Sequence, residues 1–148
     1  SVRFSLLRST KFPDPEADLG THSMKFKIRP AATIEDAVSL GYELNYPARE
    51  VQGNRPVEPL VSSSAAQVVV ETVKLAEDGS GDLIVRLYES TGGRADSRIA
   101  FAGVAEKIWL TDFLELPTSA EQVAGGSIDL QFRPFQVITL RISGLQID

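Results

Sequence analysis

The residues best suited to chemistry fall in one stretch near the start of the chain. Arg8, Asp14, Glu16, Asp18 and His22 lie within residues 8–22, and His22 is the sole histidine in 148 residues. An imidazole beside carboxylates could serve as a general base or help hold a cation. A guanidinium offers paired planar donors to hydroxyls or to a carboxylate. The bland alternatives are a hydrogen-bonded structural histidine, an arginine paired with a neighbouring acid such as Asp14, and solvated loop acids.

Each familiar chemistry falls short on residue count. A serine triad would depend on His22 alone, and no serine sits in a Gly-x-Ser-x-Gly elbow. Zinc wants three or four convergent His, Cys or carboxylate ligands, and the chain has no cysteine. The alternating acids Asp14, Glu16 and Asp18 resemble a calcium loop without its glycine or its closing bidentate glutamate. Paired carboxylates can cleave a glycosidic bond when held about 5–10 Å apart across a cleft, but the spacing places no such pair. Gly79-Ser80-Gly81 lacks the helix and Gly-Lys-Ser/Thr of a phosphate cradle. The residues therefore assign no catalytic or metal-binding group within this chain.

The elements around the stretch read as strands. Val2, Phe4 and Leu6 alternate with polar positions, as do Met24, Phe26 and Ile28 with Lys25, Lys27 and Arg29, predicting two strands that each bury one face. Pro13 and Pro15 keep the intervening segment a loop. One short helix is expected near 33–45: Thr33 is a fair N-cap, Asp36 stands three positions on, and Ile34, Ala37, Val38, Gly41 and Leu44 form a stripe ended by Pro47. Residues 49–64, with Gly53, Pro56, Pro59 and three serines, read as a connection between domains.

Beyond Gln67 the pattern is strands only. Segments 68–75, 83–88, 97–101, 106–112, 128–132 and 138–142 are separated by turns at 76–81, 91–93 and 124–126. Trp109, mid-strand, is expected in the core, with a sugar-stacking platform as the alternative. Tyr42, Tyr46 and Tyr88 read as packing residues with a wet hydroxyl. The fold class is mainly β: antiparallel β-sandwiches, immunoglobulin-like in the C-terminal part.

Composition sets limits. A net charge of −5 argues against nucleic acid and against an anionic membrane surface. No apolar run approaches the roughly 20 residues of a membrane-spanning helix. The absence of cysteine leans towards a cytoplasmic location. The chain begins Ser1-Val2-Arg3 and reads as a piece of a longer polypeptide.

Several segments resemble the late β region of α-mannosidases of glycoside hydrolase family 38. They are Leu6-Leu7-Arg8-Ser9 with residues 13–22, Leu44-Asn45-Tyr46-Pro47, residues 70–78, residues 83–89, and the closing residues 133–141, in matching order. The resemblance implies a non-catalytic part of a retaining enzyme acting on mannose-containing glycans. In it, residues 1–60 would end a large β-sandwich and residues 61–148 would form a small terminal one. It further implies that zinc and the carboxylate nucleophile belong to an N-terminal catalytic domain of the same polypeptide, which this chain would support and whose cleft it would help to wall. Arg8 would then bind substrate at the rim, with Asp14, Asp18 and His22 as further substrate contacts, and no cofactor would sit in this part. The rival reading is a free-standing carbohydrate-binding or adhesive β module, for which the chain offers few aromatics.

Overall fold

The computed structural model describes residues 3–46, 48–54, 56–119 and 122–147, and side chains are not described for 122–124. Val2 and Pro47, assigned above to a strand and to a helix stop, lie outside the described residues.

The helix forms as its caps require. In α1 (Ile34–Asn45) the Thr33 hydroxyl accepts the Asp36 N–H at 3.2 Å, and the Asp36 carboxylate accepts the Thr33 N–H at 3.0 Å. This reciprocal pair satisfies two of the free N–H groups at the helix start. Arg29 holds the other Asp36 oxygen at 2.8 Å. No residue of α1 is fully buried, so its apolar stripe is only half covered.

Among the described residues seven strands follow: β1 (Val61–Ser63), β2 (Val68–Leu75), β3 (Leu83–Glu89), β4 (Ala95–Thr111), β5 (Gln122–Phe132), β6 (Val137–Ser143) and β7 (Gln146–Ile147). All their pairings are antiparallel. The hydrogen-bonded path runs β1-β4-β6-β3-β2, with β5 and β7 also on β4. The two ends of that path, β1 and β2, touch, so the sheet curls almost closed around its interior. This agrees with the mainly antiparallel sandwich expected from the sequence.

β4 organises the whole. Its first half pairs with β1 and β5, and its second half with β5 and β6. The inward face falls on odd positions from Ala95 to Ala105 and on even Ile108, a change of parity that comes after the irregularity between Ala100 and Ala105 in the β4–β5 ladder. Two short strands were expected here, and the structure joins them. Gly103, in the joined part, lets β7 approach, because a Cβ there would lie 1.9 Å from the Gln146 carbonyl. Likewise the turn expected at 124–126 is strand, with Gly125 opposite Ala105.

The interior is filled by Val85, Leu87, Ile99, Phe101, Ala105, Ile108, Ile128, Leu130, Phe132, Leu140 and Ile142. Each adds roughly 1.5–3 kcal/mol of burial for its larger aliphatic and aromatic members. Residues 3–29 behave differently. They carry the expected alternation but form no ladder, and Phe4, Leu6, Phe26 and Ile28 each keep more than half their surface exposed. Phe4 stacks on Phe26 with ring centres 5.5 Å apart.

Candidate functional site

The stretch 8–22 folds by its own polar groups. Asp14 accepts the Glu16 N–H on Oδ1 at 2.9 Å, while the Ala17 and Leu19 N–H groups close turns onto the carbonyls of Asp14 and Glu16. Asp18 takes a left-handed backbone at φ +66°, and its carbonyl meets His22 Nε2 at 2.9 Å. That contact assigns the Nε2–H tautomer, since a carbonyl can only accept. Arg8, Asp14, Asp18 and His22 are all exposed. The structure thus brings Asp18 to His22 through the backbone and spends Asp14 on a turn. Arg8 pairs with none of them among the described residues. Nor do any three His, Asp or Glu side chains among the described residues converge to hold a metal ion. Zinc does not fit here.

The denser polar chemistry lies elsewhere. Arg141 on β6 reaches Asp82 with Nε at 2.6 Å and Asp78 with Nη2 at 2.7 Å, and Nη2 also bonds the Ser80 hydroxyl at 3.0 Å. Hydrogen bonds from Ser80, with Arg141 after them, hold the Asp78 carboxyl at about 2. Next to this, Glu115 is buried. It accepts the Glu77 N–H at 2.9 Å and pairs with Lys74 at 2.7 Å, which lowers its pKa and raises that of Lys74. Every shift in this lattice favours the charged form of a group already charged. Such groups neither donate nor take protons near neutrality, so the lattice ties β2, β3, β6 and the 112–117 loop together.

Glu89, at the end of β3, is fully buried. Burial would raise its pKa, but the hydroxyl and N–H of Thr91 and the N–H groups of Phe135 and Gly92 outweigh this and hold it at about 2. It pins the turn at 91–93 to the one at 134–136. Gly92 is obligatory there, with φ +81° and the Phe135 ring 2.7 Å from where a Cβ would stand. Sequence reasoning missed both buried glutamates. The signal for Glu89 was an acid two residues before a Thr-Gly turn, where a carboxylate can cap loop N–H groups.

Trp109 is half-buried on the outer face, opposite Arg141, and not in the core. Tyr42 and Tyr88, expected to keep wet hydroxyls, instead bring those hydroxyls together. Tyr42 donates to Glu71, its hydroxyl lies 3.2 Å from that of Tyr88, and desolvation first, then these bonds, pushes its pKa far up. Tyr46 stacks on Tyr42 and stays exposed. No membrane-crossing helix is present among the described residues.

An antiparallel sheet wound around one long strand, with its densest charge cluster locked in structural pairs, is a β-sandwich domain in class. Comparison with known proteins gives the family. Residues 67–140 match the model of the glycosyl hydrolases family 38 C-terminal β-sandwich domain, and the chain belongs to that family. It is similar to α-mannosidase 2C1 of Homo sapiens, at 33% identity over 94% of this chain and 14% of that protein. It is also similar to an α-mannosidase of Saccharomyces cerevisiae, at 29% identity over 95% of this chain and 16% of that protein. α-Mannosidase G of Dictyostelium discoideum matches at 33% identity over 62% of this chain and 9% of that protein. The chain therefore spans a small fraction of the length of these relatives.

Proposed function

We propose that this chain works as the non-catalytic C-terminal β domain of a retaining α-mannosidase, supporting an upstream catalytic domain and forming one wall of its cleft. The observation that carries this is the bare apolar alternation of residues 4–28. Phe4, Leu6, Met24, Phe26 and Ile28 have the pattern of one-sided strands, yet the described residues leave 41–66% of each exposed. A β face of that kind is stable once a further sheet packs on it, and the relatives are several times longer than this chain. On this reading residues 1–60 complete a larger sandwich, residues 61–148 form the small one, and zinc and the nucleophile lie upstream. The enzyme hydrolyses terminal α-mannosides in glycans and is cytoplasmic. Arg8 at the cleft rim donates to sugar hydroxyls or to a carboxylate, with Asp14, Asp18 and His22 beside it.

The test is enzymatic. The isolated 148-residue chain should leave an aryl α-mannoside intact, whereas the full polypeptide should cleave it and lose activity when these residues are removed. Arg8→Ala in the full enzyme should lower kcat/KM by roughly tenfold or more, the worth of one charge-assisted hydrogen bond. Hydrolysis by the isolated chain would sink the proposal. Saturable binding of mannose oligosaccharides to the isolated chain would instead favour a free-standing carbohydrate-binding module.

A further inference from the structure

The loop between β4 and β5 is built inside out. In most surface loops acids face water and apolar groups turn inward. Here Glu115 is buried and Asp112 half-buried, while Phe113, Leu114 and Leu116 are 65%, 79% and 58% exposed. The arrangement is fixed by its backbone. Asp112 Oδ1 accepts the N–H groups of Leu114 and Leu116, each at 2.9 Å, and the Asp112 N–H bonds the Leu116 carbonyl at 3.0 Å. Thr111 bridges Pro117, and the Thr118 N–H returns to the Leu110 carbonyl at 2.8 Å.

Glu115 is the anchor. It sits at φ +68°, a left-handed conformation unfavourable for a residue with a Cβ, and its side chain enters the lattice of Lys74 and the Glu77 N–H. Arg86 donates to the Phe113 carbonyl at 3.1 Å and lies 5.9 Å from the Phe113 ring centre. The chain therefore takes on backbone strain, a buried carboxylate and three exposed apolar side chains at one place. Lys74 and the Glu77 N–H compensate the carboxylate, so what stays open among the described residues is the exposed apolar trio, which gains by being covered. The trio is bordered by Lys74, Glu77 and Arg86, which gives an apolar centre with a charged rim, as in a protein interface.

We propose that residues 112–117 are a preorganised apolar knob by which this chain docks against the remainder of the mannosidase polypeptide. The inference rests on the reading above, that the chain is one domain of a longer enzyme. The relatives supply the occupant: most of their length lies outside the region this chain matches. A knob held rigid before docking loses little conformational entropy on contact. Phe113 and Leu114 are the anchors, and the partner surface is an apolar recess with acceptors for Lys74 and Arg86 at its edge.

The experiment uses the full-length polypeptide with photoreactive benzoylphenylalanine in place of Leu114, and in a control in place of exposed Gln131. Irradiation should join position 114, and not 131, to a peptide preceding Ser1 in the same polypeptide. In parallel, Phe113→Ser with Leu114→Ser should speed proteolytic release of this domain from the full enzyme by on the order of tenfold or more, since losing two interface anchors is worth at least that factor. The same pair should leave the melting of the isolated 148-residue chain unchanged. Cross-links no stronger at 114 than at 131, cross-links to a second copy, or unaltered proteolysis would each overturn the knob. If removal of residues 1–148 still abolishes mannosidase activity in that event, the broader reading survives; if activity persists without them, both fall.

Discussion

Leu87 and Phe26 belong to the same kind of sequence, an apolar residue alternating with polar neighbours, and end in opposite places. Leu87 is 0% exposed within β3, and Phe26 is 57% exposed in a segment without a ladder. The difference is in what lies across from them. β3 has β2 on one side and β6 on the other, and the curl of the sheet brings β4 and β5 over its inner face. Residues 3–29 have only each other and the flank of α1, through the Lys27–Glu43 pair at 2.9 Å and the Arg29–Asp36 pair. Alternation states that a face wants covering. Whether it is covered depends on chain that need not be nearby.

The sharpest way to break this contrast is truncation in each region. Leu87→Ala or Leu140→Ala should lower the unfolding free energy of the isolated chain by about 2–5 kcal/mol in a denaturant melt. Phe26→Ala should cost less than about 0.5 kcal/mol there. Equal losses would mean that residues 3–29 share the core. In the full enzyme the same Phe26→Ala should become costly.

Next in size is Glu89. Glu89→Ala leaves the N–H groups of Thr91, Gly92 and Phe135 without their acceptor in a dry site and should cost about 2–4 kcal/mol, read from the same melt. The pH dependence follows from its lowered pKa, from 4.5 to about 2. The unfolded chain binds the proton first as pH falls, so Glu89 stabilises the fold fully above about 4.5. That contribution drains away as pH drops towards 2. Glu89→Gln should flatten this acid limb of the stability curve, and an unchanged limb would assign it to other carboxylates.

Arg141→Ala should cost about 1–3 kcal/mol, because its side chain and that of Asp82 are largely shielded and the 78–82 turn loses its clasp. Arg98→Ala should cost less than about 0.5 kcal/mol despite a two-point pair with Asp129 at 2.8 and 2.9 Å, because both side chains stand in water. A cost for Arg98→Ala close to that of Arg141→Ala would show that geometry, not shielding, ranks these pairs. That ranking is the smallest test of the buried-against-bare comparison.

Much of the sheet could be read from residues alone. Thr33 and Asp36 announced the helix start, and β2, β3 and β6 followed their β-branched alternation, because these signals are local. Gly125 was read as turn punctuation, and Gly103 lay in the gap left between two expected strands. A glycine also permits close backbone approach, and only the position of β7 shows which role Gly103 plays. Trp109 was placed inward because mid-strand residues beside Ile108 and Leu110 looked internal. The parity change within β4 turns it outward, and no local pattern encodes that. At 8–22 the acids were visible, but their use in turns depends on backbone angles such as the left-handed Asp18. Glu115 was hidden because its partners Lys74 and Glu77 are far away in sequence.

β6 lies between β4 and β3 in the sheet, yet it forms from residues later in the chain than every strand it joins. During synthesis β3 with β2, and β4 with β1 and β5, can pair early as two separate leaves, while the seam between them stays open. Both leaves carry unsatisfied edges until residues 137–143 emerge and slot between them. A ribosome that stalls or stops before that point releases a split, sticky half-sheet instead of a slightly shortened domain. The position of one strand thus makes closure of the sheet wait for residues 137–143: losing them opens a seam through its middle, where losing β7 would only trim an edge.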